Sequence, residues 1–145
     1  MQALSALLAD AGLDVEVTDV ALGTVARLGA DSVRTALVVL RAHGYESLVD
    51  CDGIDTGEAI EITYKVRSYE HAQDSFLKTT IPYAGELASV WEVYPSALMP
   101  EREIAEMFGL TLAGHPNPKR LLTTDGVPPL LLKSVPVRTH EEVQR

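Results

Sequence analysis

The chain has 145 residues, 46% hydrophobic and 23% charged, and this composition predicts one folded domain rather than a disordered chain. Its formal net charge of −9 argues against nucleic acid as a partner, because binding to phosphates needs clustered Lys and Arg. The single cysteine, Cys51, cannot form a disulfide within the chain and fits a reducing compartment. The sequence shows no secretory signal and no apolar run of about 20 residues, so we expect a soluble, cytoplasmic protein.

The first third of the chain predicts a helix, a hairpin and a second helix. Apolar residues at helical spacing predict the first helix over 4–11. Two short segments, 13–17 and 25–30, are typical of strands and predict the hairpin. The second helix is predicted to begin at an N-cap, Asp31, and to end at Gly44.

Three more strands are predicted in the middle of the chain, over 47–52, 60–67 and 76–81. The second of them alternates strictly between apolar and polar residues, which is typical of a strand with one buried and one wet face. The acidic segment 50–57 contains glycines and resembles a calcium loop only superficially, because the Glu expected at the twelfth loop position falls inside a strand. We therefore interpret this segment as a turn.

Two short helices are predicted next, over 85–94 and from Pro100 to Gly109. The rest of the chain holds five prolines and no sustained periodicity, which favours an extended arm. The sequence thus predicts an α+β fold with a mostly antiparallel sheet of about five strands and helices packed on it. We expect this domain to span 1–113 and the C-terminal arm to span 114–145.

The side chains that bind metals are too few and too scattered to predict a metal centre. No two of the histidines and Cys51 lie at a chelating spacing, and an iron–sulfur cluster needs about four thiolates. The sequence also lacks the glycine-rich motifs of nucleotide sites and the nucleophile elbow of hydrolases. We therefore predict no catalytic, cofactor-binding or metal-binding residue in this chain.

The segment 101–116 is the densest cluster of charged residues with a histidine. A catalytic interpretation takes Glu103 or Glu106 as a general base and His115 as its acid partner. The alternative is an amphipathic helix with acids near its N-terminal end and an ion pair between Arg102 and Glu106. Residue types alone leave both interpretations open.

The same segment resembles the signature of the thirty-kilodalton subunit family. This family comprises the thirty-kilodalton subunit of NADH–quinone oxidoreductase (complex I) and the homologous subunit of membrane-bound, energy-converting nickel–iron hydrogenases. The order of elements agrees over nearly the whole chain. The residues that carry the resemblance are Glu101-Arg102-Glu103, Met107-Phe108-Gly109, Gly114-His115-Pro116, Lys119-Arg120, the upstream run Ser89-Val90-Trp91 with Tyr94-Pro95-Ser96-Ala97, and the strand at 58–68.

The resemblance implies an accessory subunit without a redox centre that braces a catalytic subunit. Its partners would be the large catalytic subunit and the iron–sulfur small subunit, which would hold the iron–sulfur clusters and a nickel–iron centre or quinone. The chain would then lie at the inner face of the cell membrane through those partners. This chain itself would be non-catalytic.

Some positions depart from the complex I pattern. Ala105 and Glu106 stand where complex I members usually have an aromatic residue and an Asp, and the closing segment 128–134 lacks an arginine and an acid. These departures favour the hydrogenase branch, for example a ferredoxin- or formate-linked enzyme, with the corresponding subunit of NADH–quinone oxidoreductase as the alternative. A transient assembly factor for the large subunit and a stand-alone small-molecule enzyme are alternatives from other classes.

The resemblance also implies which residues contact the partner subunits. Arg102 is the strongest candidate, because a planar guanidinium fixes geometry as well as charge. Met107 and Phe108 are expected to anchor the helix to the sheet instead. The predicted partner-binding residues are Glu101, Arg102, Glu103, Gly114, His115, Pro116, Lys119, Arg120 and Lys133.

Overall fold

The structure is a computed structural model that describes residues 3–119 and 129–132. Short 3-10 turns, Ala30–Ser32 and Pro95–Ala97, lead into the second and third helices. The helices and strands are, in chain order, α1 Leu4–Asp10, β1 Glu16–Val20, β2 Gly23–Arg27, α2 Val33–Ala42, β3 Ser47–Asp55, β4 Ile60–Ser68, β5 Gln73–Ile81, β6 Glu86–Ala88, α3 Leu98–Phe108 and β7 Thr111–Ala113.

The first five strands form one sheet in the order β1-β2-β5-β4-β3. Every neighbouring pair is antiparallel except β2 and β5, which run parallel. A parallel pair cannot be joined by a tight turn, and here α2, β3 and β4 lie between the two strands along the chain. The predicted α+β fold with a mostly antiparallel sheet of five strands is confirmed.

One face of this sheet carries the hydrophobic core, as strand β4 shows most clearly. Its side chains Ile60, Ile62, Tyr64 and Val66 are buried and join apolar residues of all three helices in one cluster. Burying each such side chain contributes about 1.5–3 kcal/mol. The alternate residues of β4 point to the opposite face and are only half-buried, and no helix among the described residues packs there.

The strand predicted over 47–52 is confirmed, but the acidic turn predicted over 50–57 is wrong in most of its length, because β3 runs through Asp55. Asp50 and Asp52 are exposed while Cys51 and Asp55 are buried, so the segment follows the period of two of a strand. Alternate outward carboxylates are compatible with a strand at the sheet edge, where they remain solvated. Only 56–59 form the turn.

The helix predicted over 85–94 is also wrong. Glu86–Ala88 forms β6, which pairs in parallel with β7, and α3 is the crossover between the two strands. A short apolar run has no reliable period, and here the pairing with a distant strand decides its conformation.

The ends of several other elements differ from the prediction by a few residues. The hairpin strands β1 and β2 start three residues later and two residues earlier than predicted, respectively. Asp31 lies within the 3-10 turn that precedes α2, and the N-cap of α2 is Ser32 instead of the predicted Asp31. Helix α3 begins at Leu98, so Pro100 lies in its first turn, where a missing N–H costs little.

None of the helices in the described part of the chain is long and apolar enough to cross a membrane. Of the predicted arm, the structure describes 114–119 and 129–132; the remaining residues of 114–145, including Arg120 and Lys133, lie outside the described residues.

Candidate functional site

Glu101, in the first half of α3, is fully buried and ties this helix to the segment that follows β6. Its Oε1 accepts a hydrogen bond from the Ser89 hydroxyl at 2.6 Å, and its Oε2 accepts one from the Val90 backbone N–H at 2.9 Å. We call Ser89, Val90 and Glu101 the carboxylate brace. A buried carboxylate needs such donors, because each lost hydrogen bond leaves a desolvated polar group.

The environment of the carboxylate brace is apolar and favours the neutral form of Glu101. Burial raises the pKa of Glu101 above its ordinary value of 4.5, while the hydrogen bonds from Ser89 and Val90 and the nearby His115 oppose that rise. Burial raises the pKa of Cys51 and of Tyr64, and Glu101 in its ionised form raises both further. Cys51 is therefore a protonated, unreactive thiol.

A second set of contacts fixes the start of the predicted arm against α3. The Trp91 indole N–H donates to the Gly114 carbonyl at 2.9 Å, His115 Nε2 donates to the Leu98 carbonyl at 2.8 Å, and Arg102 Nε donates to the Lys119 carbonyl at 2.8 Å. We call these three contacts the arm anchor. They hold 114–119 beside the N-terminal half of α3.

Both ring nitrogens of His115 are engaged by backbone groups. The Asn117 N–H donates to Nδ1 at 2.9 Å, so Nδ1 is the acceptor and Nε2 carries the proton that is donated to Leu98. A histidine held in this way positions the turn after Gly114. It has no nitrogen directed at a substrate, which disfavours the acid role in the catalytic interpretation.

The chain meets α3 again at the other end of the helix. The Leu131 N–H donates to the Met107 carbonyl at 3.0 Å. A Cβ added to Gly109, which has a φ of +72°, would lie 2.7 Å from Pro129. The described parts of the arm therefore flank α3 at both ends, while β3 lies against the helix on its inner side.

The two carboxylates of the catalytic interpretation lie in different surroundings. Glu103 is exposed at a shallow cavity of about 250 Å³ that Asp50, Asp52 and Met107 also line, whereas Glu106 is buried. Within 3–119 and 129–132, no three His, Cys, Asp or Glu side chains converge as a metal site would need.

The structure brings Arg102, Gly114, His115 and Lys119 together in the arm anchor, with Pro116 exposed beside it. Glu101 lies inside the chain, which leaves its side chain no exposed surface for a partner, so its contribution is to rigidity. Partner contact by the exposed residues stays a prediction.

Sequence reasoning missed the roles of Ser89 and Trp91. Both lie in the upstream run that carries part of the family resemblance, and their polar atoms explain why that run accompanies the segment 101–116. Ser89 binds Glu101, and Trp91 binds the carbonyl that opens the arm. Nothing local to either residue indicates a partner 12 or 23 positions away.

The fold is shared with two solved structures. The chain matches a chain in the structure of the membrane-bound sulfane sulfur reductase, an archaeal respiratory membrane complex, with a TM-score of 0.73 and 22% identity, over 85% of this chain and 75% of that one. It matches the trypsin-resistant fragment of Nqo5 with a TM-score of 0.66 and 22% identity, over 79% and 98% of the two chains.

The family is defined by the sequence. Residues 26–144 match the model of the 30 Kd subunit of respiratory-chain NADH dehydrogenase, and the chain belongs to this family. It is 33% identical to the NADH-quinone oxidoreductase subunit designated C from Phenylobacterium zucineum, over 74% of this chain and 54% of the relative. The chain thus spans about half the length of this curated relative.

Proposed function

We propose that this chain is a non-redox accessory subunit of a complex I-like, energy-converting oxidoreductase, and that it braces the large catalytic subunit. The observation that carries the proposal is the internal use of the family's signature. Its buried carboxylate and its histidine are both satisfied within the chain, so the segment builds a rigid support instead of an open catalytic pocket.

Rigidity is what a bracing subunit has to supply. Redox sites work only when their geometry is held to within about half an ångström by supporting residues. In the proposed complex, the partners are the large catalytic subunit and the iron–sulfur small subunit, and the iron–sulfur clusters and a nickel–iron centre or quinone lie in those partners. The chain is held at the inner face of the membrane through them.

Two branches of the family remain candidates. The departures at Ala105 and Glu106 and the composition of the arm favour a membrane-bound nickel–iron hydrogenase. The curated relatives favour the second candidate, since they are named as a subunit of NADH-quinone oxidoreductase.

Metal analysis of the purified complex separates the two branches. Nickel at about one atom per complex, with hydrogen evolution or uptake, would select the hydrogenase. A nickel-free complex that reduces a quinone with NADH would select complex I.

The bracing role is tested at Arg102. Arg102→Ala removes the bond to Lys119 and frees one end of the arm anchor, while the core beneath α3 stays intact. We expect a folded protein that copurifies poorly with the large subunit, and Arg102→Lys to rescue this only partly because it lacks the planar fork. Arg34→Ala, on α2, is the control.

If the Arg102→Ala complex assembles and turns over like the Arg34→Ala complex, the bracing role of Arg102 is refuted. If the wild-type chain purifies alone and turns over a small molecule, the subunit role as a whole is refuted.

A further inference from the structure

The face of the five-stranded sheet opposite the core is charged, ordered and uncovered by any described helix. We call it the open face. Its central charges form two clusters, each with one carboxylate between two cations. Glu61 accepts from Arg27 at 3.0 Å and from Lys78 at 3.3 Å. Asp74 takes a bidentate pair from Arg67, at 2.6 and 2.9 Å, and has Lys65 at 3.9 Å.

The balance of charge at the centre of the open face is the reverse of that of the chain. The chain has 12 Lys and Arg against 21 Asp and Glu. The centre of the open face has four cations against two carboxylates. The pairs hold these side chains in place, and the two clusters together contain two more cations than carboxylates.

The rim of the open face has the opposite sign. Along β3 the exposed Asp50 and Asp52 border a groove of about 310 Å³ that continues to Lys65 and Lys78. Phe76 also lines this groove, with the Lys65 ammonium 5.8 Å from the centre of its ring. The face therefore offers a cationic centre, an anionic edge and an aromatic surface in the same groove.

We infer that the open face is a docking surface for a protein partner that places carboxylates over the cationic centre, an apolar side chain on Phe76 and a cation against the β3 rim. This inference rests on the proposed function, in which the partner is another subunit of the oxidoreductase complex. A polyanion such as nucleic acid or an anionic lipid surface fits less well, because Asp50 and Asp52 would repel it.

The ion pairs of the open face favour its use as a docking surface. Because Glu61 and Asp74 already hold the cationic side chains in one geometry, these side chains would lose little conformational entropy when a partner binds. Opposite charges in a fixed pattern also set the register of the two proteins, since a shifted partner would bring like charges together.

The first test uses the whole complex. Lys65→Gln combined with Lys78→Gln removes two positive charges from the open face, and Arg34→Gln with Arg41→Gln removes two from α2 on the helical side. We expect the open-face variant to bind the large subunit about tenfold more weakly or worse and to dissociate at lower salt. The α2 variant should behave like the wild type.

The second test does not alter charge. Thr80 is exposed on β5 opposite Glu61, so Thr80→Cys places a thiol on the open face, and Val38→Cys places one on α2. The native Cys51 is buried and should contribute little labelling. We expect the thiol at position 80 to react with a maleimide in the free chain and to be protected in the complex, while the thiol at position 38 reacts in both.

Two results would overturn the inference while leaving the proposed function intact. One is a complex that forms normally with the open-face variant and leaves the thiol at position 80 reactive. The other is a thiol at position 80 that is already protected in the free chain, since the chain itself would then cover the face. A wild-type chain that recovers no oxidoreductase subunit would instead refute the proposed function.

Discussion

The two faces of the five-stranded sheet shift the pKa of their carboxylates in opposite directions. On the helical side, Glu101 has no described cation beside its oxygens and is held by a hydroxyl and a backbone N–H, so burial raises its pKa. On the open face, burial also works to raise the pKa of Glu61, but its bonds to Arg27 and Lys78 hold that pKa below its ordinary value.

The two faces of this one sheet therefore have different structural roles. The helical side uses a carboxylate as an acceptor that locks segments of the chain together. The open face uses carboxylates as spacers that hold cations in position at the surface. The first arrangement supports rigidity, and the second prepares a surface for another charged protein.

The largest expected effect is the difference in stability loss between two neighbouring residues of β4 that point to opposite faces. Ile62 is fully buried in the core, whereas Thr63 is half-buried on the open face. Ile62→Ala should lower the free energy of unfolding by about 2–5 kcal/mol, because it leaves a cavity among packed side chains. Thr63→Ala should lower it by no more than about 1 kcal/mol, the difference in strand propensity between Thr and Ala.

Urea denaturation of both variants measures this contrast. Equal losses of unfolding free energy would mean that the open face is packed as tightly as the core. The proposed contrast between the two faces would then be refuted.

The next effect comes from the contact between β3 and α3. A Cβ at Gly53 would lie 2.9 Å from the Phe108 ring and 3.5 Å from Ile104, both on α3. Gly53→Ala should therefore cost about 1–3 kcal/mol of stability through overpacking.

Gly29→Ala is the matched control, because no atom lies within 4 Å of its Cβ position and its φ of −68° suits alanine. It should be neutral or slightly stabilising in the same thermal or urea unfolding experiment. A Gly53→Ala protein as stable as this control would show that the Phe108 ring shifts without cost and that the contact between β3 and α3 is not tightly packed.

The two classes of carboxylate should give opposite pH dependence. Because the pKa of Glu101 is raised in the folded state, the folded chain holds this proton to higher pH than the unfolded chain. Stability therefore falls as pH rises above about 4.5 through that raised pKa. Glu101→Gln resembles the neutral form, and it should lose this part of the pH dependence.

For Asp74, the expected dependence of stability on pH has the opposite sign. The side-chain bond to Arg67 lowers the pKa of Asp74, and burial only partly opposes it. Its stabilisation is present above its ordinary pKa of 3.8 and is lost as pH falls through the lowered value.

Asp74→Asn should therefore flatten the acid side of the stability curve, while Glu101→Gln flattens the side above about pH 4.5. Urea midpoints of the wild type and both variants from about pH 2 to pH 8 would show this difference. If both variants flatten the same side, the contrast between the carboxylates is refuted.

The smallest effect on stability is expected at an ion pair that belongs neither to the carboxylate brace nor to the open face. Arg34 and Glu92 form a 2.7 Å contact with side chains 54% and 61% exposed. Arg34→Ala should cost about 0.2–1 kcal/mol at low salt and less at high salt, since solvent screens the pair. A larger, salt-independent loss would assign the pair a structural role.

The sequence was sufficient for elements whose pattern is long and local. Strict alternation over Ile60–Ser68 predicted β4 and the face that it buries, and helical spacing predicted α1 and α2. The run from Glu101 to Phe108 predicted most of α3. Its family signature also indicated the 30 Kd subunit family, to which the chain belongs.

The sequence failed where a distant segment decides the conformation. Glu86–Ala88 is a strand because β7 pairs with it, and residues 53–55, which were predicted as part of a turn, extend β3 because β4 pairs with them. Neither partner is visible in the short pattern of the segment itself. The same reason hid the carboxylate brace, whose donors and acceptor are about a dozen residues apart.

The sequence by itself thus determined the class of fold, the family and the residues from Glu101 to Pro116 as the segment of interest, because periodicity and motifs are properties of neighbouring residues. Only the tertiary structure decided that Glu101 faces inward while Arg102 holds the arm, and that four cations gather on one face of an acidic chain. Those outcomes depend on which strands pair and in which register, and pairing between distant segments is fixed only when the chain has folded.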